Sequence, residues 1–377
     1  MLFGWVFGFW WGVALSVNLA TVVMGLWPRR PLRPADTLPA VSVMVPVKGA
    51  GPPITPNLEA LFNQDYPLFE VVFAVADEDD PAIPLLQRLI AAHGNVPARL
   101  TTDPTPGSGN PKLDNLRRAW RLAKHELILL CDVNARFRPD ELRRLVAQLV
   151  PGIGLLSVVP VATEPEGFCG ELEAAFFNTG GARWLMAAAR LGFGGGVGQT
   201  MLLRRGDLER IGGFDAMAAA GACEDAVLGE AIRRAGLGVR MARDPGWHPI
   251  GSRRFSDFWQ RQLRWMCCRK YHALPVFVLE PSGSPLATAI AGGIWWGWFA
   301  GLPVLPLIAG QLAVWFAIEG IYARAQGWHL SWLSPVAWLV REAMIPALWL
   351  RAVIARSLIW RGQRIVLPPV LAVRRQR

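Results

Sequence analysis

Hydrophobic and polar positions divide the chain into apolar ends and an alternating middle. Residues 1–27 hold no charge, and at about 1.5 Å per residue such a helix reaches roughly 40 Å, enough to cross a bilayer core with some tilt. The segment lacks the basic start, short apolar stretch and small-residue cleavage site of a secretory signal, so it reads as an uncleaved anchor. A second uncharged run, Pro281 to Ile318, is too long for one straight span. Pro303 and Pro306 near its middle predict a helical hairpin of two short spans, with a buried soluble hairpin as the competing reading. The third apolar block, Trp332 to Trp360, is interrupted by Arg341, Glu342, Arg351 and Arg356. Charges there are costly unless paired or turned to a polar cavity, so this block reads as a span or as a helix lying in the interface.

Between these ends the period changes. Short apolar, β-branched runs at 41–47, 70–76, 127–131, 153–160 and 200–203 predict strands. Helical patterns alternate with them at 56–63, 83–92, 112–124, 139–149, 169–190 and 225–235. Strand and helix in alternation predict a mostly parallel sheet covered by helices on both faces. The domain organisation that follows is an anchor at 1–27, an α/β domain at 36–250 and an amphipathic interfacial helix at 251–275. A hairpin at 281–325, a spanning or interfacial helix at 330–360 and a basic tail at 361–377 complete it.

Composition sharpens this division. The 377 residues carry 39 Lys+Arg and 29 Asp+Glu, a net charge of +10, yet only 18% are charged and 52% are hydrophobic. So apolar a chain is not disordered, and five cysteines without a CxxC pair make no disulfide scaffold or thiol–metal site. The charge is unevenly placed: residues 36–250 hold 21 Lys+Arg against 25 Asp+Glu, and the positive surplus flanks the apolar segments. A nucleic-acid binder would carry that surplus on its folded domain, so a bilayer is the expected partner and nucleic acid is not. Arg29, Arg30 and Arg33 follow the anchor and put the α/β domain on the cytoplasmic side by the positive-inside tendency. Of 18 Trp, nine fall in 281–360 and four in 1–27, as an interfacial aromatic belt requires.

Candidate chemistry lies where parallel sheets bind ligands, beyond the carboxyl ends of strands. The 70–76 strand runs into Asp77-Glu78-Asp79-Asp80, the 127–131 strand into Asp132-Val133-Asn134, and Glu224-Asp225 opens the last helix of the domain. Any one such acid is as readily a turn or cap residue; three in one sheet point to a site. The glycine-rich GFGGGVG at 192–198 lacks GxGxxG spacing and precedes a strand, so it is not a dinucleotide fingerprint; it reads as a turn permitting close backbone approach. Five histidines show no metal-ligand spacing, and a GxSxG nucleophile motif is absent.

The order Asp77, Asp132, Asp225, followed by RQLRW at 261–265, resembles the inverting membrane-bound glycosyltransferases of the GT-A fold. VPVKG (45–49), NQDYPLFEVVFAVADEDDPAI (63–83), GNPKLDNL (109–116), EPEGFCGELEAAFFNT (164–179), EDAVLGEAIRRAG (224–236), WLVRE (338–342) and IWRGQR (359–364) look more closely like the ceramide glucosyltransferases, glycosyltransferase family 21. The resemblance implies a nucleotide-sugar fold between a transmembrane anchor and C-terminal transmembrane or interfacial helices. It implies transfer of glucose from UDP-glucose to the primary hydroxyl of ceramide, with inversion. In that scheme Asp77, Lys48, Lys112, Asp132 and Arg261 bind the nucleotide sugar, and Asp132 recruits Mg²⁺ or Mn²⁺. Asp225 is the general base, with Glu224 beside it on the acceptor side. Arg264 meets the diphosphate and Trp265 the acceptor. Asn134 stands where a second Asp is usual, which leaves the metal ligation open.

Three rivals remain at this stage. Another lipid acceptor, such as a hopanoid or diacylglycerol, fits the same residues. A processive polysaccharide synthase shares the acids but has more spans, and a non-catalytic membrane scaffold would have no need of the intact acids. Length and Ala/Arg/Trp-rich usage favour a bacterial inner membrane over a Golgi membrane.

Overall fold

The structure is a computed structural model that describes residues 2–29, 31–35, 37–51, 54–103, 107, 110–220, 223–360 and 363–366. The chain folds into two compact units, one of Arg29–Val161 with Ala188–Gly251, the other of Met1–Pro28, Ala162–Ala187 and Ser252–Arg377.

The first unit is built on a seven-stranded sheet. Its strands are drawn from β1 (Val41–Val47), β2 (Phe69–Val75), β3 (Ala98–Thr101), β4 (Leu127–Cys131), β5 (Ile153–Ser157), β6 (Pro160–Glu166), β7 (Thr200–Arg204) and β8 (Gly238–Met241), with β6 outside the sheet. The order is β3-β2-β1-β4-β7-β5-β8. Every neighbouring pair is parallel except those of β7, which runs antiparallel to both β4 and β5. Alternation sorts the side chains into two layers. Val41, Val43, Val45, Val47, Phe73 and Leu129 pack with Leu58, Leu61, Leu86 and Leu89 of the helices Ile54–Phe62 and Ala82–Ala92. Met44, Val72, Ala74, Ile128 and Leu130 pack with Leu113 and Leu116 of the helix Pro111–Leu122 and Leu228 and Ile232 of the helix Glu224–Arg234. Burial of both faces explains why these strands are almost uninterruptedly apolar.

Two differences from the sequence pattern have physical causes. The apolar run 153–160 is two strands, because β5 ends at Ser157 and Pro160, which has no N–H for a ladder, opens β6. β3 and β8 are four residues long, contain Arg99 and Arg240, and form the sheet's edges, where short, charged strands are the rule. Neither has an apolar run to betray it. Arg99 pairs with the buried Glu70 of β2.

The second unit is helical. Phe3–Leu26 and Val304–Ala325 are each long and apolar enough to cross a membrane. The helix Pro285–Ala300 stops at Gly301 in the left-handed conformation (φ 66°), and the next helix starts after Pro303. Gly4 and Gly8 let the indoles of Trp298 and Trp295 lie directly on the N-terminal helix; a Cβ at either would fall within 2.7 Å of the ring. Polar anchors tie the same helix down: Trp11 Nε1 donates to Gln311 Oε1 at 2.8 Å, and Asn18 Nδ2 to the Gly283 carbonyl at 3.0 Å.

Two of the four charges that make the third apolar block costly, Arg341 and Glu342, are paired. Arg341, in the helix Ser334–Ile354, reaches Glu319 at 2.9 Å and Glu342 at 2.8 Å, all three fully buried. Thr179 donates to Glu319 at 2.9 Å and accepts from Arg341 at 2.8 Å, and Trp315 Nε1 donates to Glu319 at 2.8 Å. Arg183 is buried nearby on Thr179, Asn18 and Thr21. Arg351 and Arg356 are exposed. Residues 363–366 pair antiparallel with Ser357–Trp360; most of the basic tail lies outside the described residues.

Candidate active site at the carboxyl edge of the sheet

Because β1, β2 and β4 are parallel and adjacent, their carboxyl ends share one edge. Val47 is in register with Val75, so Lys48 and Asp77 follow neighbouring strand ends, both exposed. Asp77 accepts from the Asp79 N–H at 3.0 Å, whereas Asp80 is buried and accepts from Gly49 N–H at 3.0 Å and Ala82 N–H at 2.8 Å. The acidic run therefore divides into an open acid at the edge and a closed one that fastens the loop after β1. Beyond β4 the chain turns, the Ala135 N–H closing on the Asp132 carbonyl at 3.0 Å: Cys131, Val133 and Ala135 are buried, while Asp132 and Asn134 are half-buried.

Asp132 is the first member of a tight charge cluster. The helix Pro111–Leu122 is capped by Asn110, whose side chain accepts from the Lys112 and Leu113 N–H groups, with Pro111 in the first turn. Lys112 thus lies in a helix's first turn. Its ammonium sits 2.9 Å from Asp132 Oδ1 and 3.3 Å from Glu224 Oε1, and donates to the Gly198 carbonyl at 2.7 Å. Asn110 Nδ2 donates to the other Glu224 oxygen at 3.0 Å. Glu224 is accordingly a buried residue with both carboxylate oxygens engaged. Asp225 takes the Gly198 N–H on Oδ2 at 2.7 Å and the Ala226 N–H on Oδ1 at 2.8 Å.

The glycine-rich loop makes this packing possible. A Cβ on Gly196 would lie 1.7 Å from the Asp225 carbonyl oxygen, and one on Gly194 would lie 2.1 Å from that of Val239. At Gly198 it would meet Asp225 Oδ2 at 2.8 Å and Lys112 Nζ at 3.1 Å. Close backbone approach is the loop's function, as its composition suggests.

Electrostatics follow from this geometry. Burial, and after it the neighbouring Glu224 carboxylate, push the Asp225 pKa up to about 6, against the opposing pull of Lys112 and two backbone N–H donors. For Lys112 burial disfavours the charge, but Asp132, Glu224 and Asp225 outweigh it and hold its pKa above the ordinary lysine value.

The RQLRW residues belong to the helical unit. Arg261 NH1 lies 2.6 Å, and Arg253 Nε 3.0 Å, from the two oxygens of the fully buried Glu173. Trp265 sits edge-on to Phe177 with ring centroids 4.8 Å apart, and Arg264 is half-buried. The sequence pattern passes over Asn110, Glu173 and Gly198. Asn110 carries a local signal, an Asn-Pro start of an apolar-periodic helix, and Gly198 ends the glycine-rich run, whereas Glu173 has no such mark.

Among the described residues no three acidic, His or Cys side chains converge on one point to hold a metal ion. Asp132 and Asn134, both half-buried, nevertheless offer a carboxylate and an amide oxygen two residues apart in the turn after β4, which the Ala135 N–H closes on the Asp132 carbonyl at 3.0 Å. That donor set fits Mg²⁺ or Mn²⁺, hard cations that bind through one or two carboxylates and otherwise keep waters or phosphates.

A mostly parallel sheet with acids at its carboxyl edge and an acid opening the last helix define a glycosyltransferase of GT-A type. The mannosyltransferase PcManGT from Pyrobaculum calidifontis, solved in complex with GDP-Man and Mn²⁺, shares this fold with a TM-score of 0.56 at 19% identity, over 92% of this chain and 99% of that one. The family model for glycosyl transferase family 21 matches residues 9–369, and the chain belongs to that family; it is a hexosyltransferase. Ceramide glucosyltransferase 1 of Caenorhabditis elegans is 26% identical over 342 residues, 89% of this chain and 73% of the relative. Ceramide glucosyltransferase of Komagataella phaffii is 22% identical over 450 residues, 94% of this chain and 88% of the relative. With the two apolar helices, these relatives mark a membrane protein.

Proposed function

We propose that this protein transfers glucose from UDP-glucose to the primary hydroxyl of ceramide, with inversion, on the cytoplasmic face of a bacterial inner membrane. The observation that carries the chemistry is Asp225: a carboxylate aimed by two backbone N–H groups, with its pKa raised to about 6. That value suits a general base at neutral pH, ionised yet still basic. The acceptor hydroxyl gives its proton to Asp225 as its oxygen attacks the anomeric carbon from the face opposite the diphosphate. The new glycosidic bond forms as the bond from that carbon to the diphosphate oxygen breaks, and UDP leaves. Asp77 and Lys48, on adjacent strand ends, hold the nucleoside. Arg261, supported by Glu173, and Arg264 answer the diphosphate's charge, and Trp265 takes the acceptor. Asp132 with Asn134 would hold Mg²⁺ or Mn²⁺, which when bound supplies charge neutralisation for the departing diphosphate.

The test is transfer from radiolabelled UDP-glucose by membranes containing the full chain, offered ceramide, diacylglycerol and a hopanoid, with products identified by mass spectrometry. Label in β-glucosylceramide is the expected result. Label in another lipid overturns the acceptor assignment and leaves the transferase, and no transfer from any UDP-sugar leaves the scaffold reading.

A further inference from the structure

The least expected feature of the acid cluster is what neutralises it. Lys112 Nζ lies on the same carboxylate that suits a divalent cation, and it is shared with Glu224 and the Gly198 carbonyl. Three oxygens within 3.3 Å surround one small, compact cation, much as they would surround a metal ion. Two further features make the arrangement reversible. Asp132 is 29% exposed, so the carboxylate is open to solvent although its Oδ1 is engaged. Lys112 hangs on a flexible four-carbon stem from a helix whose first turn is fixed separately by Asn110. The ammonium can leave without unwinding the helix.

We propose that Lys112 is a tethered cation that occupies the metal position at Asp132 until a divalent ion displaces it, so that lysine and ion compete for one carboxylate. The proposal rests on the reading of Asp132 as the metal residue of a nucleotide-sugar site. It assigns Lys112 a further role: keeping three neighbouring acids together in the resting protein and setting a threshold below which the ion does not bind. Asp132, Glu224 and Asp225 bring three like charges close together, and the Lys112 ammonium offsets their repulsion.

The test uses the full chain in lipid nanodiscs. Free Mn²⁺ is titrated by its electron paramagnetic resonance signal, with and without UDP. Without UDP, Lys112→Gln binds Mn²⁺ at least about tenfold tighter than the parent, since a unit charge beside the ligand is gone. Lys112→Arg, which keeps the charge, leaves the affinity near the parent value, and Asp132→Asn removes the site in both backgrounds. Equal Mn²⁺ affinity in the parent and Lys112→Gln overturns the proposal, because lysine and ion then share the carboxylate without competing. A second readout needs no variant: Mn²⁺ alone speeds acylation of the Lys112 amine, followed by peptide mass spectrometry, and unchanged labelling overturns the proposal equally. UDP binding is read separately. Its absence in the parent sinks the nucleotide-sugar reading and leaves the Mn²⁺ competition to be judged by itself.

Discussion

Glu224 separates two ways of reading the Asp225 carboxylate. If Asp225 is the base, transfer requires it ionised, so kcat/KM falls on the acid side with a midpoint at about 6. Half the plateau remains at about pH 6 and about a tenth at pH 5. Glu224→Gln removes the second of the two causes that raise this pKa and leaves the first, burial. The acid limb then moves down by about one pH unit, stopping short of the ordinary aspartate value of 3.8 because the carboxylate stays desolvated. At pH 5 the ionised fraction rises from about a tenth to about a half, so activity relative to plateau rises roughly fivefold. The plateau itself drops roughly threefold, as a weaker base is a poorer catalyst. Lys112 acts in the same direction, since it lowers the Asp225 pKa and its influence persists once Glu224 is neutral. The Asn110 hydrogen bond is preserved by the glutamine carbonyl oxygen, which keeps the helix start in place. The assay is initial-rate transfer from labelled UDP-glucose between about pH 4.5 and 9 on parent and variant. An acid limb that stays put, or moves up, refutes the assignment of Asp225 as the titrating base.

Further outcomes follow from single contacts. Asp225→Asn lowers transfer by at least about a hundredfold while UDP binding, measured by calorimetry, is retained, because the substitution removes proton acceptance and leaves the loop. Gly198→Ala forces a methyl to 2.8 Å from Asp225 Oδ2; displacing the base costs about a hundredfold in kcat, and a variant with unchanged kcat would show that this oxygen's position is unimportant. In the helical unit, Glu319→Gln strands Arg341 with Glu342 alone and lowers stability by about 3 kcal/mol or more, read as melting temperature in detergent. Protein stability also gains as pH falls through about 6, since the folded state holds the Asp225 proton more tightly than an unfolded chain does, and this pH dependence is lost in Asp225→Asn.

What the sequence discloses follows what each element has to bury. β1, β2 and β4 are flanked by helices on both faces, and their near-continuous apolar runs are unmistakable. β3 and β8 at the edges bury less and carry arginines, so nothing in ARLT or GVRM marks them as strands. The acids at strand ends are visible as candidates because polar residues interrupt apolar runs. Their division of labour is not visible: Asp77 and Asp80 lie in one tetrapeptide, yet one is exposed and the other closes a loop on Gly49. The partners of Arg341 are equally hidden, since Glu319 and Thr179 stand 22 and 162 residues away. Its charge reads as a penalty until the fold supplies both.

The dipeptide Glu224-Asp225 shows why a motif and a mechanism are separate findings. Successive residues on a helix project about 100° apart, so two adjacent acids cannot meet the same surroundings. Glu224 turns to Lys112 and Asn110, which satisfy both its oxygens and keep it inside. Asp225 turns to the Gly198 and Ala226 N–H groups, which orient it without supplying a counter-charge of their own. A buried carboxylate held by dipoles beside a like charge keeps a raised pKa; one clasped by an ammonium does not serve as a base. The glycine at 198 decides the allocation. Its N–H orients Asp225 while its carbonyl takes the proton donor of Lys112, and a side chain there would collide with both. The loop that lacks any nucleotide-binding fingerprint is therefore what distinguishes the two acids.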